Sequence, residues 1–274
     1  MRRIQICKRR MEETNMNKRL VMFMLIAVLV ISTIGCSSET SKESKTFTVG
    51  FDQDFPPMGF VGDDGEFTGF DLELAAEVAK RLDMELKLQP IAWDSKDAEL
   101  ESGNIDCIWN GFTINGREDK YTWTEPYLKN NQVFVVRADS DIKTLDDLAG
   151  KSVVVQVDSS AEKALEDEPD LVASFGEYIT APNYNAALMD LEAGAVDAVA
   201  MDEVVAKYQN EKRGGIFRIL DEVLAPEEYG VGFLLGNTEL RDKVQKALEE
   251  MAADGTMAKI SKKWFDEDIT ILGK

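Results

Sequence analysis

Residues 100–111 read LESGNIDCIWNG, and residues 191–202 read LEAGAVDAVAMD. Both fit L-E-x-G-x-[IV]-D-x-[IV], with Gly103 and Gly194 separated by 91 positions (194 − 103). In each copy a helical stretch ends at a glycine, which takes the left-handed C-cap conformation without steric cost. A short apolar strand follows, Ile105 to Trp109 in one copy and Val196 to Ala200 in the other. The spacing is too long for a solenoid unit and suits two similar α/β lobes. In open α/β sheets, ligands bind beyond the carboxyl ends of the strands. Asn110-Gly111-Phe112-Thr113 and Asp202-Glu203 are therefore candidates to face a common cleft. The bland alternative is chance, since any two α/β units can share Leu-Gly-Ile-Asp.

The first residues read as a leader. Seven basic residues, from Arg2 to Arg19, precede the apolar run Leu20 to Ile31. That run has 12 residues, short of the ~20 that a transmembrane helix needs. Basic residues before a short apolar core describe an export signal. Ile34-Gly35-Cys36 and the polar tract SSETSKESK follow. Residues 1–35 are expected to be the signal peptide and 36–45 a flexible tether. Met16 is an alternative start. Without residues 1–35, 24 Lys+Arg (31 − 7) face 49 Asp+Glu (51 − 2), a net charge of −25. So acidic a chain argues against nucleic acid, whose phosphates need basic patches. It fits a soluble extracytoplasmic monomer.

Cys107 alone among the cysteines lies in the folded body, inside the apolar strand IDCIW, and is expected to be a buried, inert thiol with no disulfide. The chain has no histidine. That removes His-based triads, most zinc chemistry and the commonest general base. No metal or cofactor is expected.

Along the chain, Thr46 to Phe51 reads as a strand and Asp71 to Leu82 as an amphipathic helix. Glu85 to Leu88 is a strand, and Trp93 opens a loop. Val133 to Val136 is a strand, Lys143 to Lys151 a short helix, and Ser152 to Val157 a strand. Ser159 and Glu162 have the spacing of a capping box. A helix follows from Glu203, a strand from Tyr229 to Leu235, and two closing helices from Glu239 to Ala253 and Thr256 to Trp264. This alternation of β and α argues for α/β lobes. Chain crossings at residues 129–136 and 226–232 would form a hinge.

Seven segments now stand in order: VGFDQDFPPMGF, GEFTGFDLELAAEVAKRL, NGFTINGRE, TEPYLKNNQVFVV, TLDDLAGKSVVVQVDSSAEKAL, AVDAVAMDEVVA and ADGTMAKISKKWF. Together they resemble the polar amino-acid substrate-binding proteins of ABC importers, solute-binding family 3, over about residues 46–266. Gly35-Cys36 resembles a bacterial lipoprotein signal, with Cys36 as the lipidated mature N-terminus, although Thr33 stands where that motif usually has Leu. The resemblance implies two Rossmann-like α/β lobes joined by a two-strand hinge, the type II periplasmic-binding-protein fold. Residues 46–128 and 230–274 would form lobe one, and residues 132–226 lobe two. It implies a protein held outside the membrane by its lipid, with a permease and its ATPase as partners.

The chemistry of a free amino acid can be set beside this. Its carboxylate and ammonium must both be satisfied, because burying either unpaired is costly. The planar fork of Arg suits the carboxylate. Arg117 stands where the family carries its carboxylate-binding Arg; a surface ion pair with Glu118 or Asp119 is the structural alternative. The loop Thr113-Ile114-Asn115-Gly116-Arg117 is one residue shorter than the family's T-I-T-x-x-R, and Gly116 can supply a tight turn. The helix start after Ser159 offers backbone N–H groups to the same anion, and Ser159 and Ser160 match family contacts. Asp202, the Thr113 hydroxyl and the Gly111 carbonyl match acceptors for the ammonium, though Asp202 could instead cap its helix. By matched position, Asp52, Phe55, Trp93, Asn110 and Gln156 would select the side chain, with Phe55 and Trp93 as aromatic walls. An enzyme on the same fold, such as a small dehydratase, would need an acid or base free of clamping duty; Asp52 and Asp202 are the only evident cleft carboxylates. A ligand-sensing domain is the third reading.

Overall fold

The computed structural model describes residues 45–274. The leader and Cys36 lie outside the described residues, and Lys45, read as the last tether residue, opens the first strand. Twelve strands are formed: β1 (Lys45–Phe51), β2 (Asp54–Phe55), β3 (Gly59–Val61), β4 (Phe67–Thr68), β5 (Met84–Pro90), β6 (Cys107–Thr113), β7 (Tyr121–Trp123), β8 (Leu128–Arg137), β9 (Ser152–Gln156), β10 (Glu177–Ala181), β11 (Ala198–Asp202) and β12 (Phe217–Leu234). The helices are α1 (Phe70–Arg81), α2 (Lys96–Glu101), α3 (Ser160–Glu166), α4 (Pro169–Ser174), α5 (Tyr184–Ala193), α6 (Glu203–Lys212), α7 (Thr238–Asp254) and α8 (Thr256–Phe265).

One sheet has the order β10-β9-β11-β8-β12-β6-β1-β5, with β7 paired to β12; β2, β3 and β4 form a small second sheet. The sequence repeat is a repeat of sheet position. β6 lies between parallel β1 and antiparallel β12. β11 lies between parallel β9 and antiparallel β8. The repeat glycines Gly103 and Gly194 have φ of 73° and 75°, the left-handed conformation expected of them. Both repeat strands begin and end later than the apolar pattern alone indicates, because pairing continues into the polar residues Asn110 and Asp202.

β8 and β12 run antiparallel across the middle of the sheet, with Arg137 opposite Phe217 and Leu128 opposite Tyr229. Beyond Tyr229, β12 pairs with β6 and then β7. The sequence marked only the last part of β12. Its earlier part is irregular in register near Ile219 to Ala225 and contains Pro226, Glu227 and Glu228, so no period of two survives.

α1 forms as its pattern predicts. Leu72, Leu74, Ala75, Val78 and Ala79 are buried, with acids in its first turn and bases in its last, the order that the helix dipole favours. Lys143 to Lys151 yields only a 3-10 turn at Asp146–Leu148, because the Asp147 carboxylate accepts the N–H groups of Lys143 and Thr144. Trp93 opens a 3-10 turn, Trp93–Ser95, that leads into α2, rather than a loop. Cys107 is buried and free; burial, then the charge of Asp106, pushes its thiol pKa well up.

Asp71, at the start of α1, is fully buried. Its carboxyl accepts the Gly111 N–H at 2.6 Å and the Tyr127 hydroxyl at 2.9 Å, so it ties α1 to β6 and to the approach to β8. Asp71→Ala is expected to cost about 2–4 kcal/mol, since each stranded buried donor is worth ~1–3 kcal/mol. Urea denaturation measures this. A loss within about 0.5 kcal/mol, as for an exposed site, would show that the tie carries no stability.

Candidate functional site

The candidate residues hang from carboxyl ends of strands, where ligands bind in such sheets. Asp52 and Phe55 follow β1, and Trp93 follows β5. Asn110, Gly111 and Thr113 end β6, with Arg117 in the next turn. Gln156 ends β9, with Ser159 and Ser160 beginning α3, and Asp202 ends β11. Ten of these eleven line one narrow cavity: Phe55, Trp93, Asn110, Gly111, Thr113, Arg117, Gln156, Ser159, Ser160 and Asp202. Tyr184, which the sequence reading missed, completes the lining. It opens α5 just after β10, an edge strand whose mostly exposed residues carry no core pattern.

Asp52 stands behind this wall. Its carboxylate accepts Gln156 Nε2 at 2.8 Å and the Asp54 N–H at 2.8 Å. Phe55 and Tyr184 pack with ring centroids 5.9 Å apart, and Trp93 packs edge-on against Phe112 at 5.6 Å. Among the described residues the buried side-chain amide of Asn110 has no hydrogen-bond partner, and the buried Tyr184 hydroxyl lies close to Ser159 and Asp202. Polar groups so placed in a cavity wall are available to a polar ligand.

The shortened loop closes as a tight turn. The Arg117 N–H donates to the Ile114 carbonyl at 2.9 Å, and Gly116 has φ 75°, the left-handed value that type II turns require at this position. Arg117 is thereby turned inward and is only 8% exposed. Its guanidinium donates to the carbonyls of Thr113 and Asp158, each at 3.4 Å, and lies 5.3 Å from the centre of the Phe112 ring. Among the described residues no carboxylate pairs with it, so the surface ion pair with Glu118 or Asp119 does not form.

Ser159 caps α3, accepting the Glu162 N–H at 3.1 Å. The Glu162 carboxylate accepts the Asp158 N–H at 2.5 Å rather than that of Ser159, a one-residue variant of the expected box. Asp202 occupies the N-cap position of α6 without capping it. Asn130 on β8 supplies the cap, its Oδ1 accepting the Val204 N–H at 3.1 Å. Asp202 Oδ1 instead accepts the Tyr229 hydroxyl at 2.5 Å and Asn130 Nδ2 at 3.2 Å.

Glu227 corrects the sequence reading of the cleft's acids. It lies in the chain crossing at 226–232 and was not counted with Asp52 and Asp202, yet it is buried beside Asp202. It accepts Thr113 Oγ1 at 2.7 Å, Asn130 Nδ2 at 2.5 Å and Gln132 Nε2 at 2.8 Å. Burial, then the Glu227 charge, pushes the Asp202 carboxyl well above the usual carboxylate range.

Contacts cross the cavity between the segments before and after β8. Besides Gln156–Asp52, Asn183 Nδ2 donates to Asp54 at 3.1 Å. Buried Lys96 pairs with the Asp158 carboxylate and donates to its carbonyl at 3.2 Å. Burial lowers the Lys96 pKa, and Asp158 opposes that. Among the described residues no cluster of acids and cysteines has a metal-holding arrangement, and no helix is long and apolar enough to cross a membrane.

Asp52 makes a pH prediction. Burial raises its pKa from 3.8 to about 6 against the opposing bonds from Asp54 and Gln156. Between those values the folded state holds a proton that the unfolded state has lost, so this group's contribution to stability falls as pH rises through the window. Asp52→Asn should flatten the decline in unfolding free energy between about pH 4 and pH 7 by about 3 kcal/mol. Denaturant titrations across this range test it; an unchanged slope would place the Asp52 pKa near its ordinary value.

The model of the bacterial extracellular solute-binding proteins, family 3, matches residues 47–267. The chain is 35% identical to the L-cystine-binding protein TcyJ of Escherichia coli strain K12, over 84% of this chain and 86% of that one. It is 32% identical to the probable amino-acid-binding protein YxeM of Bacillus subtilis, over 93% and 98% of the two chains. An ABC uptake transporter substrate-binding protein from Streptococcus pneumoniae, solved with bound histidine, superposes with a TM-score of 0.79 at 36% identity, covering 82% of this chain and 94% of that one. The chain belongs to the family 3 extracellular solute-binding proteins, and its two-lobed α/β fold is the type II periplasmic-binding fold of its structural neighbours.

Proposed function

We propose that this chain is the extracytoplasmic substrate-binding component of an ABC importer. It takes one free, polar L-amino acid between two lobes and delivers it to the membrane permease that works with an ATPase. Residues 46–128 with 230–274 are one lobe, residues 132–226 the other, and β8 and β12 carry the hinge between them. The chain acts as a monomer and performs no chemistry on its ligand. Cys36 carries a lipid that holds it to the membrane.

The observation that carries this reading is the buried guanidinium of Arg117, without a carboxylate partner, in the same cavity as buried Asp202. A buried cation calls for an anion and a buried acid for a cation; a zwitterion supplies both. The ligand carboxylate goes to Arg117 with Ser159 and Ser160. The ammonium goes to Asp202, Thr113 and the Gly111 carbonyl. Phe55, Trp93, Tyr184, Asn110 and Gln156 surround the side chain, and Asp52 acts on it through Gln156. The relatives' ligands, L-cystine for one and histidine for another, agree with a polar amino acid.

A thermal-shift series against the twenty amino acids and L-cystine identifies the ligand, because a ligand that binds only the folded state raises Tm by mass action. Arg117→Ala is expected to weaken binding of that ligand by roughly 30- to 4,000-fold, the equivalent of ~2–5 kcal/mol for truncating a buried charge partner, while the protein stays folded. Calorimetric titration measures it, and affinity within about threefold of wild type would remove Arg117 from the site. Cys36→Ser is expected to release the protein from the membrane fraction or to block its processing; cell fractionation decides, and an intact leader on cytoplasmic protein would refute export.

A further inference from the structure

We propose that Glu227 is a second carboxylate of the ammonium subsite, sharing one proton with Asp202 that the ligand's ammonium displaces to solvent. The proposal rests on the amino-acid reading above and adds a residue and a proton to it. Glu227 is 4% exposed and Asp202 2%. The Asn130 amide nitrogen lies 2.5 Å from Glu227 Oε1, 2.6 Å from the Tyr229 hydroxyl and 3.2 Å from Asp202 Oδ1, and the Tyr229 hydroxyl donates to Asp202 at 2.5 Å, so both carboxyls belong to one small hydrogen-bond cluster. Their other donors are the neutral Thr113, Gln132 and Tyr229 side chains. Among the described residues neither acid has a cationic partner within ion-pair distance. Two carboxylates so close in a buried site, with only neutral donors, do not both ionise.

The groups facing the pair fit this assignment. From β12 comes Tyr229, from the start of α5 Tyr184, and from the approach to β8 Tyr127, which acts on Tyr229; burial raises the pKa of all three phenols, so they stay neutral near neutral pH. Arg117 is the cation in the same cavity, already committed to the ligand's carboxylate. From α3, Lys163 lines a second cleft that Glu227, Gln132 and Thr113 also line. Thr113 and Ser160 are shared between that cleft and the ligand cavity. Exposed Asn115, Lys163 and Asp167 carry the second cleft to the surface, so the pair has a route to water that a ligand in the first cavity does not block.

The step balances simply. The shared O–H bond breaks, the proton leaves to water, and the ligand's –NH3+ takes its place between two carboxylates. The charge of the subsite is the same before and after. A neutral ligand group in place of the ammonium would leave the proton where it is.

The test is proton counting. L-Arginine, L-histidine and L-cystine are titrated calorimetrically into the whole mature protein at neutral pH, in phosphate and in Tris, whose ionisation heats differ. About one proton should be released per molecule bound, and affinity should fall up to about tenfold for each pH unit lowered beneath the pair's upper titration. In Glu227→Gln, shown folded by circular dichroism, release should drop below about half a proton. Buffer-independent heats in the wild type, or an unchanged proton count in the variant, would overturn the proposal. An infrared measurement needs no ligand: Asp71, whose pKa burial raises to about 7, gives a protonated carboxylic-acid band of its own at neutral pH, so the band should shrink by the pair's share in Glu227→Gln, and an unchanged band would also overturn the shared proton. If no probe binds, the amino-acid reading itself fails, and the infrared band still decides whether the pair holds a proton.

Discussion

Everything in the site depends on the antiparallel pairing of β8 with β12. These strands are the middle of the sheet and, among the described residues, the only ladder joining its two sets of parallel strands. Tyr229 marks the change of partner, opposite Leu128 on one side and Thr113 on the other. Its hydroxyl reaches Asp202, which arrives from the far set of strands. Backbone pairing thus brings Thr113, Glu227, Asn130 and Asp202 together from four strands, and no long loop is needed to do it. A two-stranded passage between two sets of parallel strands is the kind of element that can absorb hinge motion while packed units stay rigid.

The cavity is poor in internal compensation. Arg117 is held by carbonyls and a ring rather than a carboxylate, while Asp202 and Glu227 are solvated only by neutral groups. Optimised for stability alone, a fold would pair or remove such charges, since breaking a buried pair costs ~3–5 kcal/mol. Separated charges of this kind suit the zwitterion proposed as the ligand. Contacts outside the cavity wall, Asn183 to Asp54 and Lys96 to Asp158, also join the segments before and after β8. If those segments move apart, a ligand shifts the equilibrium only by its differential affinity for the two states.

Much of this was legible in the chain, and the exceptions have physical causes. The repeat located β6 and β11, and the strand-end rule located Asn110, Thr113 and Asp202. The pattern of α1 and the cap at Ser159 could be read directly, because both are local. Glu227 could not, since a carboxylate in PEEY is usually solvated, and only the pairing of Asn130 opposite Glu227 buries it. Tyr184 was hidden behind β10, an edge strand exposed along most of its length. Asp52, expected among the residues that select the side chain, does not line the cavity but faces Gln156, a partner 104 residues away that no spacing rule reveals. Local patterns reported local structure, and what they missed was set by long-range pairing.

The borrowed cap on α6 has a consequence of another kind. At most helix starts the N-cap side chain is committed to the backbone, and replacing it weakens the helix by ~0.5–2 kcal/mol. Here Asn130 bears that duty from a neighbouring strand, so the residue at position 202 is spared it. Helix integrity and ligand chemistry are therefore encoded at separate positions. Substitution at 202 leaves the cap of α6 in place, and the chemistry at that position can be changed without first dismantling the helix.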